Sequence, residues 1–124
     1  MIGIDLINIK RFEKFYKKFQ QKALERFLST EEIKLSKKKI ETLAGFYAAK
    51  EAVSKALGCG IGSKLSFHDI HIHKTQINAP YFTLPKHIVQ EYKITETSLS
   101  ITHEKEYAIA VAYIKASDLK KLFH

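Results

Sequence analysis

Phe46-Tyr47-Ala48-Ala49-Lys50-Glu51-Ala52-Val53-Ser54-Lys55-Ala56-Leu57-Gly58-Cys59-Gly60-Ile61-Gly62 reads as a helix running into a glycine-rich loop. Between Thr42 and Ser63 the only charged residues are Lys50, Glu51 and Lys55. Alanine, leucine and valine dominate the rest, so the helix is apolar nearly all round, the mark of a buried helix. At ~3.6 residues per turn, Glu51 falls on the line of Ile40, Leu43, Ala44 and Tyr47. A carboxylate there is hard to bury without a cation, which makes Glu51 a candidate site residue. Lys55 lies one turn further along the same face.

Outward from this helix, the N-terminal side begins with Ile2 to Leu6, whose apolar alternation predicts a short strand. Lys10 to Phe27 predicts a helix, with Phe12, Phe15, Phe19, Ala23 and Phe27 on its apolar face. Arg11, Lys14, Lys18 and Lys22 form a basic stripe opposite. Ser29-Thr30-Glu31-Glu32 is a capping box opening a short second helix, and Lys37-Lys38-Lys39 marks a solvated turn. On the C-terminal side, Leu65 to His73 alternates and predicts a strand, with another at Tyr81 to Leu84. Pro85 starts a brief helix to about Tyr92. Leu99–Thr102 and Tyr107–Ile114 predict a hairpin through His103-Glu104-Lys105-Glu106, and Ser117 caps a short C-terminal turn. The layout is α+β, helices in the first half packed on an antiparallel sheet, expected as one domain over residues 1–124.

Composition narrows the function without choosing it. The net charge of +8 calls for an acidic partner: nucleic acid, anionic lipid, a phosphorylated ligand or an acidic protein, unless it serves solubility alone. No apolar run approaches the ~20 residues that span a bilayer, so no membrane segment is expected. Met1-Ile2-Gly3-Ile4-Asp5 has no basic segment, so no signal peptide is expected either. A single cysteine, Cys59, forms no internal disulfide and fits a cytoplasmic setting. It reads as a small space-filler rather than a nucleophile.

The pattern Phe-Tyr-Ala-Ala-Lys-Glu-Ala-x-x-Lys-Ala-x-Gly-x-Gly-Ile resembles the signature of the phosphopantetheinyl transferases, specifically the small holo-acyl-carrier-protein synthases. Ile2-Gly3-Ile4-Asp5-Leu6 and Leu99-Ser100-Ile101-Thr102-His103-Glu104-Lys105-Glu106-Tyr107-Ala108 match at the expected distances on either side. The resemblance implies the phosphopantetheinyl transferase fold. It also implies Mg²⁺-dependent transfer of 4′-phosphopantetheine from coenzyme A to a serine of apo-acyl-carrier protein, supporting fatty acid biosynthesis. Adenosine 3′,5′-bisphosphate leaves. The acceptor of the serine proton stays open between a water on the metal and one of the carboxylates.

Under this resemblance Asp5 and Glu51 bind the metal, and Lys55 and His103 join them as catalytic residues near the phosphates. By spacing alone, Asp5 equally suits a turn after its strand, Lys55 an ion pair with Glu51, and His103 a surface position. The implied coenzyme A contacts are Lys50, Lys55, Gly58, Gly60, Ile61, Gly62, Pro80 and His103; the glycines read alone suit a helix cap. Arg11, Lys14, Lys18 and Lys22 would dock the acidic carrier protein, and a homotrimer with sites between subunits is implied. Two departures bear on nucleotide binding. Phe46 stands where the family commonly has Arg, and Asn78-Ala79-Pro80 replaces a Gly-Lys-Pro turn. His68, His71 and His73 raise a zinc question; His71 and His73 share one strand face, but no cysteine or second ligand pair completes a site. Two alternatives are a basic nucleic-acid-binding module, which lacks any recognisable motif here, and a transferase acting on other carrier domains, whose members are usually double-length.

Overall fold

The computed structural model describes residues 1–117. Strand β1 (Ile2–Asn8) leads into helices α1 (Ile9–Phe27), α2 (Thr30–Ser36) and α3 (Ile40–Leu57). A 3₁₀ turn (Phe67–Asp69), strands β2 (His71–Lys74) and β3 (Pro80–Thr83) and helix α4 (Lys86–Tyr92) follow. Strands β4 (Ile94–His103) and β5 (Tyr107–Ala116) form the long hairpin. The main sheet has the order β1-β5-β4, all antiparallel, and β2 pairs with β3 separately. The architecture is the α+β arrangement expected. The C-terminal turn assigned to Ser117 lies outside the described residues.

Small side chains set the spacing between the layers. Ala108, Ala110 and Ala112 of β5 are fully buried, and α3 packs across β1 and β5 with buried Ala48, Ala49, Ala52 and Ala56. Removing this apolar surface from water drives the layers together. At Gly3 the approach leaves no room for a methyl group. A Cβ there would lie 1.9 Å from the Ala52 carbonyl oxygen and 2.5 Å from the Ala56 nitrogen. Rings of Phe12, Phe27, Tyr47 and Phe67 pack edge-on or tilted beside α3, with Phe27 and Tyr47 centroids 5.1 Å apart.

One buried cation ties the outer segments to this core. Lys50 is 0% exposed, and its Nζ donates to the Phe27 carbonyl (2.6 Å), Glu32 Oε1 (2.8 Å) and the Phe67 carbonyl (3.0 Å). Glu32 also accepts from the Ser29 and Ile72 amides, both at 2.8 Å. Burial pulls the Lys50 ammonium below its ordinary pKa, and its bond to Glu32 opposes that shift. Glu32 is thus both the capping-box residue of α2 and the anion that holds Lys50.

Three elements differ from the sequence expectation. The strand expected over Leu65–His73 is a 3₁₀ turn followed by a strand of four residues. The Asp69 carboxylate accepts from the Ser66 amide at 2.9 Å, a local bond that competes with strand pairing. Helix α1 breaks at Gln20 (φ 49°, ψ −130°), which no glycine or proline announces. Phe19, the residue just before the break, is 47% exposed instead of buried, and it pairs with Phe15 at 5.3 Å. Strand β4 starts at Ile94, five residues before the expected Leu99, because pairing continues along β5 to Ala116.

Lys50→Met should destabilise the fold by about 3–5 kcal/mol, since it leaves the Glu32 carboxylate buried without its cation. Urea denaturation measures this. An unchanged midpoint would show that the pair is not a structural anchor.

Candidate active site

Asp5 lies on β1 two residues beyond Gly3, on the side that faces α3. Because Gly3 lets strand and helix touch, Asp5 arrives beside the turn of α3 that carries Glu51 and Lys55. Lys55 Nζ donates to Asp5 Oδ1 at 2.8 Å and to the Ile4 carbonyl at 3.3 Å. Asp5 Oδ2 is buried and has no hydrogen-bond partner. The Asp5 side chain is 13% exposed and that of Lys55 52%. The spacing alone allowed Lys55 to pair with Glu51; its ion-pair partner is Asp5.

Glu51 is half-buried beside them. Burial, and next the charge of Asp5, push its carboxyl above the ordinary carboxylate range, while Lys55 and the Tyr47 hydroxyl pull it back. The Tyr47 hydroxyl is itself raised, by burial first and then by the Glu51 charge. Tyr47 is a site neighbour that the sequence reading placed only as a residue on the same helix line. An all-oxygen set of two carboxylates, one with an orphaned buried oxygen, suits a hard ion such as Mg²⁺, which takes few protein ligands and keeps its waters. Among the described residues there is no group of three or more His, Cys, Asp or Glu able to hold a metal. The histidines that raised zinc have other neighbours: His68 Nε2 lies 2.8 Å from the Glu25 carbonyl and His73 Nε2 2.9 Å from Thr83 Oγ1.

His103 is elsewhere. It lines a second cavity of about 200 Å³ with Glu41, Thr42, Phe46, Lys74, Asn78, Pro80 and Ile101. The expected contacts His103 and Pro80 therefore come together, with both family departures, Phe46 and Asn78, in the same walls. Asp5, Glu51 and Lys55 are not among its lining residues. Lys74, which no motif singled out, lines this cavity with its Nζ 5.8 Å from the centre of the Phe46 ring.

The glycine loop supplies shape more than donors. Gly58 (φ 87°) and Gly60 (φ 68°) are left-handed, and both amides donate to the Ser54 carbonyl. The Gly62 amide donates to the Leu65 carbonyl, and space above Gly60 and Gly62 is open. Ile61 packs against the core. Cys59 is exposed and fills no space, contrary to expectation; desolvation by the surrounding loop raises its thiol pKa, away from nucleophile behaviour.

Lys50 needs a correction. Its ammonium is buried and its three hydrogen bonds go to Phe27, Glu32 and Phe67, so no donor remains for coenzyme A. The basic stripe is also altered. Arg11, Lys14 and Lys18 are exposed on the first part of α1, but Lys22 follows the break at Gln20 and leaves their line. Arg11 borders an apolar cavity of about 400 Å³ formed with Leu6, Ile7, Asn8, Phe12, Phe15 and Tyr47. This cavity links α1 to Tyr47, the neighbour of Glu51. Among the described residues no helix is long and apolar enough to cross a membrane.

A carboxylate pair and a lysine, set where a glycine presses the first strand onto a buried helix, accompany a family match over residues 1–112: the chain belongs to the 4′-phosphopantetheinyl transferase superfamily. It is 51% identical over 119 residues to the holo-[acyl-carrier-protein] synthase of Helicobacter pylori strain G27, covering 96% of this chain and 100% of the relative. The crystal structure of the Helicobacter pylori holo-[acyl-carrier-protein] synthase with coenzyme A superposes with a TM-score of 0.90 at 51% identity. That match covers 93% of this chain and 100% of the other. The Neisseria meningitidis holo-[acyl-carrier-protein] synthase gives a TM-score of 0.84 at 32% identity, over 92% and 96% of the two chains.

Proposed function

We propose that this chain is a holo-[acyl-carrier-protein] synthase, a single domain that uses coenzyme A and Mg²⁺ to modify a serine of apo-acyl-carrier protein for fatty acid biosynthesis. The observation that carries the reading is the meeting of Asp5, Glu51 and Lys55 at the contact of β1 with α3. Asp5 and Glu51 would hold the ion. Bound there, Mg²⁺ offsets the negative charge of the pyrophosphate. The serine oxygen forms a bond to the β-phosphorus as its proton passes to a site carboxylate or to water, the bond to the bridging oxygen of the α-phosphate breaks, and adenosine 3′,5′-bisphosphate leaves. Lys55 supplies positive charge where the departing phosphate gains negative charge. Holding both reactants supplies much of the rest of the acceleration.

His103 reaches this chemistry from a neighbouring subunit in a homotrimer. Two features support that reading. His103 lines a cavity apart from the carboxylates, and the face of the sheet opposite α3 exposes Ile2 (71%), Ile4 (59%), Leu6 (56%) and Val111 (37%). Such an apolar patch suits an interface between copies. The carrier, an acidic protein, docks on Arg11, Lys14 and Lys18, whose exposed charges steer encounter.

The direct test is incubation with coenzyme A, Mg²⁺ and an apo-carrier protein, followed by mass spectrometry of the carrier. A gain of one phosphopantetheine is expected, nearly abolished in Asp5→Ala and Glu51→Ala; full activity in either variant would remove its residue from the site. Co-refolding Asp5→Ala with His103→Ala should restore part of the activity that each lacks alone, because some mixed trimers contain an intact site. No restoration would place His103 in its own subunit's chemistry or outside it. Reversing Arg11 and Lys18 to Glu should raise the KM for carrier several-fold and flatten its salt dependence, leaving the KM for coenzyme A nearly unchanged. Equal losses for both substrates would move the landing site elsewhere.

A further inference from the structure

Lys55 lies where it competes with the ion the site is built for. Its ammonium holds Asp5 Oδ1 at 2.8 Å and is anchored by the Ile4 carbonyl at 3.3 Å, while Asp5 Oδ2 is left buried and unpartnered. Two carboxylates and one ammonium leave the cluster with a single negative charge. A divalent cation added to it would sit beside a positive charge already bonded to one of its ligands. Lys55 is half exposed on a flexible four-carbon stem, so it can swing off Asp5 without disturbing the core. The other anion near it, Glu51, belongs to the same cluster, so only an anion from outside draws it away from both carboxylates.

We propose that Lys55 is a resident counter-ion of Asp5 that weakens divalent-cation binding to the free protein and is drawn off by the nucleotide's phosphates, so that cation and nucleotide load as a pair. The inference rests on reading Asp5 and Glu51 as the metal ligands. By linkage, coenzyme A strengthens cation binding by the same factor as the cation strengthens that of coenzyme A. Lys55 then does two jobs in sequence: it neutralises Asp5 in the empty site and the phosphates in the loaded one.

Binding of Mn²⁺, an oxygen-preferring ion whose free form is counted by electron paramagnetic resonance, tests this without turnover. In the absence of coenzyme A, Lys55→Met should bind Mn²⁺ about two- to fivefold more tightly than the unmodified protein, the scale set by a half-exposed ion pair. Lys55→Arg, which keeps the charge, should bind as weakly as the unmodified protein. Coenzyme A should tighten Mn²⁺ binding more in the unmodified protein than in Lys55→Met. Binding by Lys55→Met that is equal or weaker overturns the competition. Asp5→Asn separates the two levels. If it loses Mn²⁺ while Lys55→Met binds no more tightly, the metal site stands and only the competition fails. If Asp5→Asn binds as the unmodified protein does, the metal assignment and the inference fall together.

Discussion

The buried ammonium of Lys50 fixes the rest of the molecule. One nitrogen bonds the end of α1, the capping carboxylate of α2 and the 3₁₀ turn, and through Glu32 it reaches the Ile72 amide of β2. A charge in this position is stable only if all its partners arrive together, because each one missing leaves a polar group dry. The rotation of α3 about its own axis is thereby set. Glu51, the next residue, then points about 100° away from Lys50, toward β1. Two adjacent charged residues on one helix are divided between holding the fold and forming the site.

With α3 fixed, the placement of Asp5 reduces to a question of distance. Helices ordinarily stand off a sheet by the thickness of their side chains. Here alanines on both layers narrow the gap, and at Gly3 the backbones touch. The dense packing is what lets three short or flexible polar groups reach one another across the layer boundary. It also keeps water from Asp5 Oδ2, so the carboxylate is electrostatically unfinished in a way that favours a hard cation.

Much of this was legible in the chain. The near-continuous apolar run of α3 marked it as buried, and a lone carboxylate on that run marked Glu51. The Ser29/Glu32 capping box and the closing hairpin were written in local spacing. What was not legible depends on long-range geometry. Lys50 and Glu51 look alike in sequence, and only the fold reveals that one meets Glu32 and the other Asp5. The break at Gln20 has no local cause among its own residue types, so the periodicity of α1 ran past it and misplaced Lys22. Lys74 escaped notice because its cavity is assembled from α3, β4 and the β2–β3 pair, segments far apart in the chain.

Strand β1 carries two unrelated messages on alternate residues. Gly3 and Asp5 face the helix, while Ile2, Ile4 and Leu6 face outward, each fixed by its partner on β5 from Ile2 opposite Tyr113 to Asn8 opposite Tyr107. A slip of one residue would carry Ile4 into the polar cluster and Asp5 onto the apolar face. The polar cluster and the exposed apolar face are therefore inherited as one trait. An insertion or deletion within these seven residues cannot spare one and lose the other, and the only way to vary them independently is by substitution, position by position, on a frame that stays the same length.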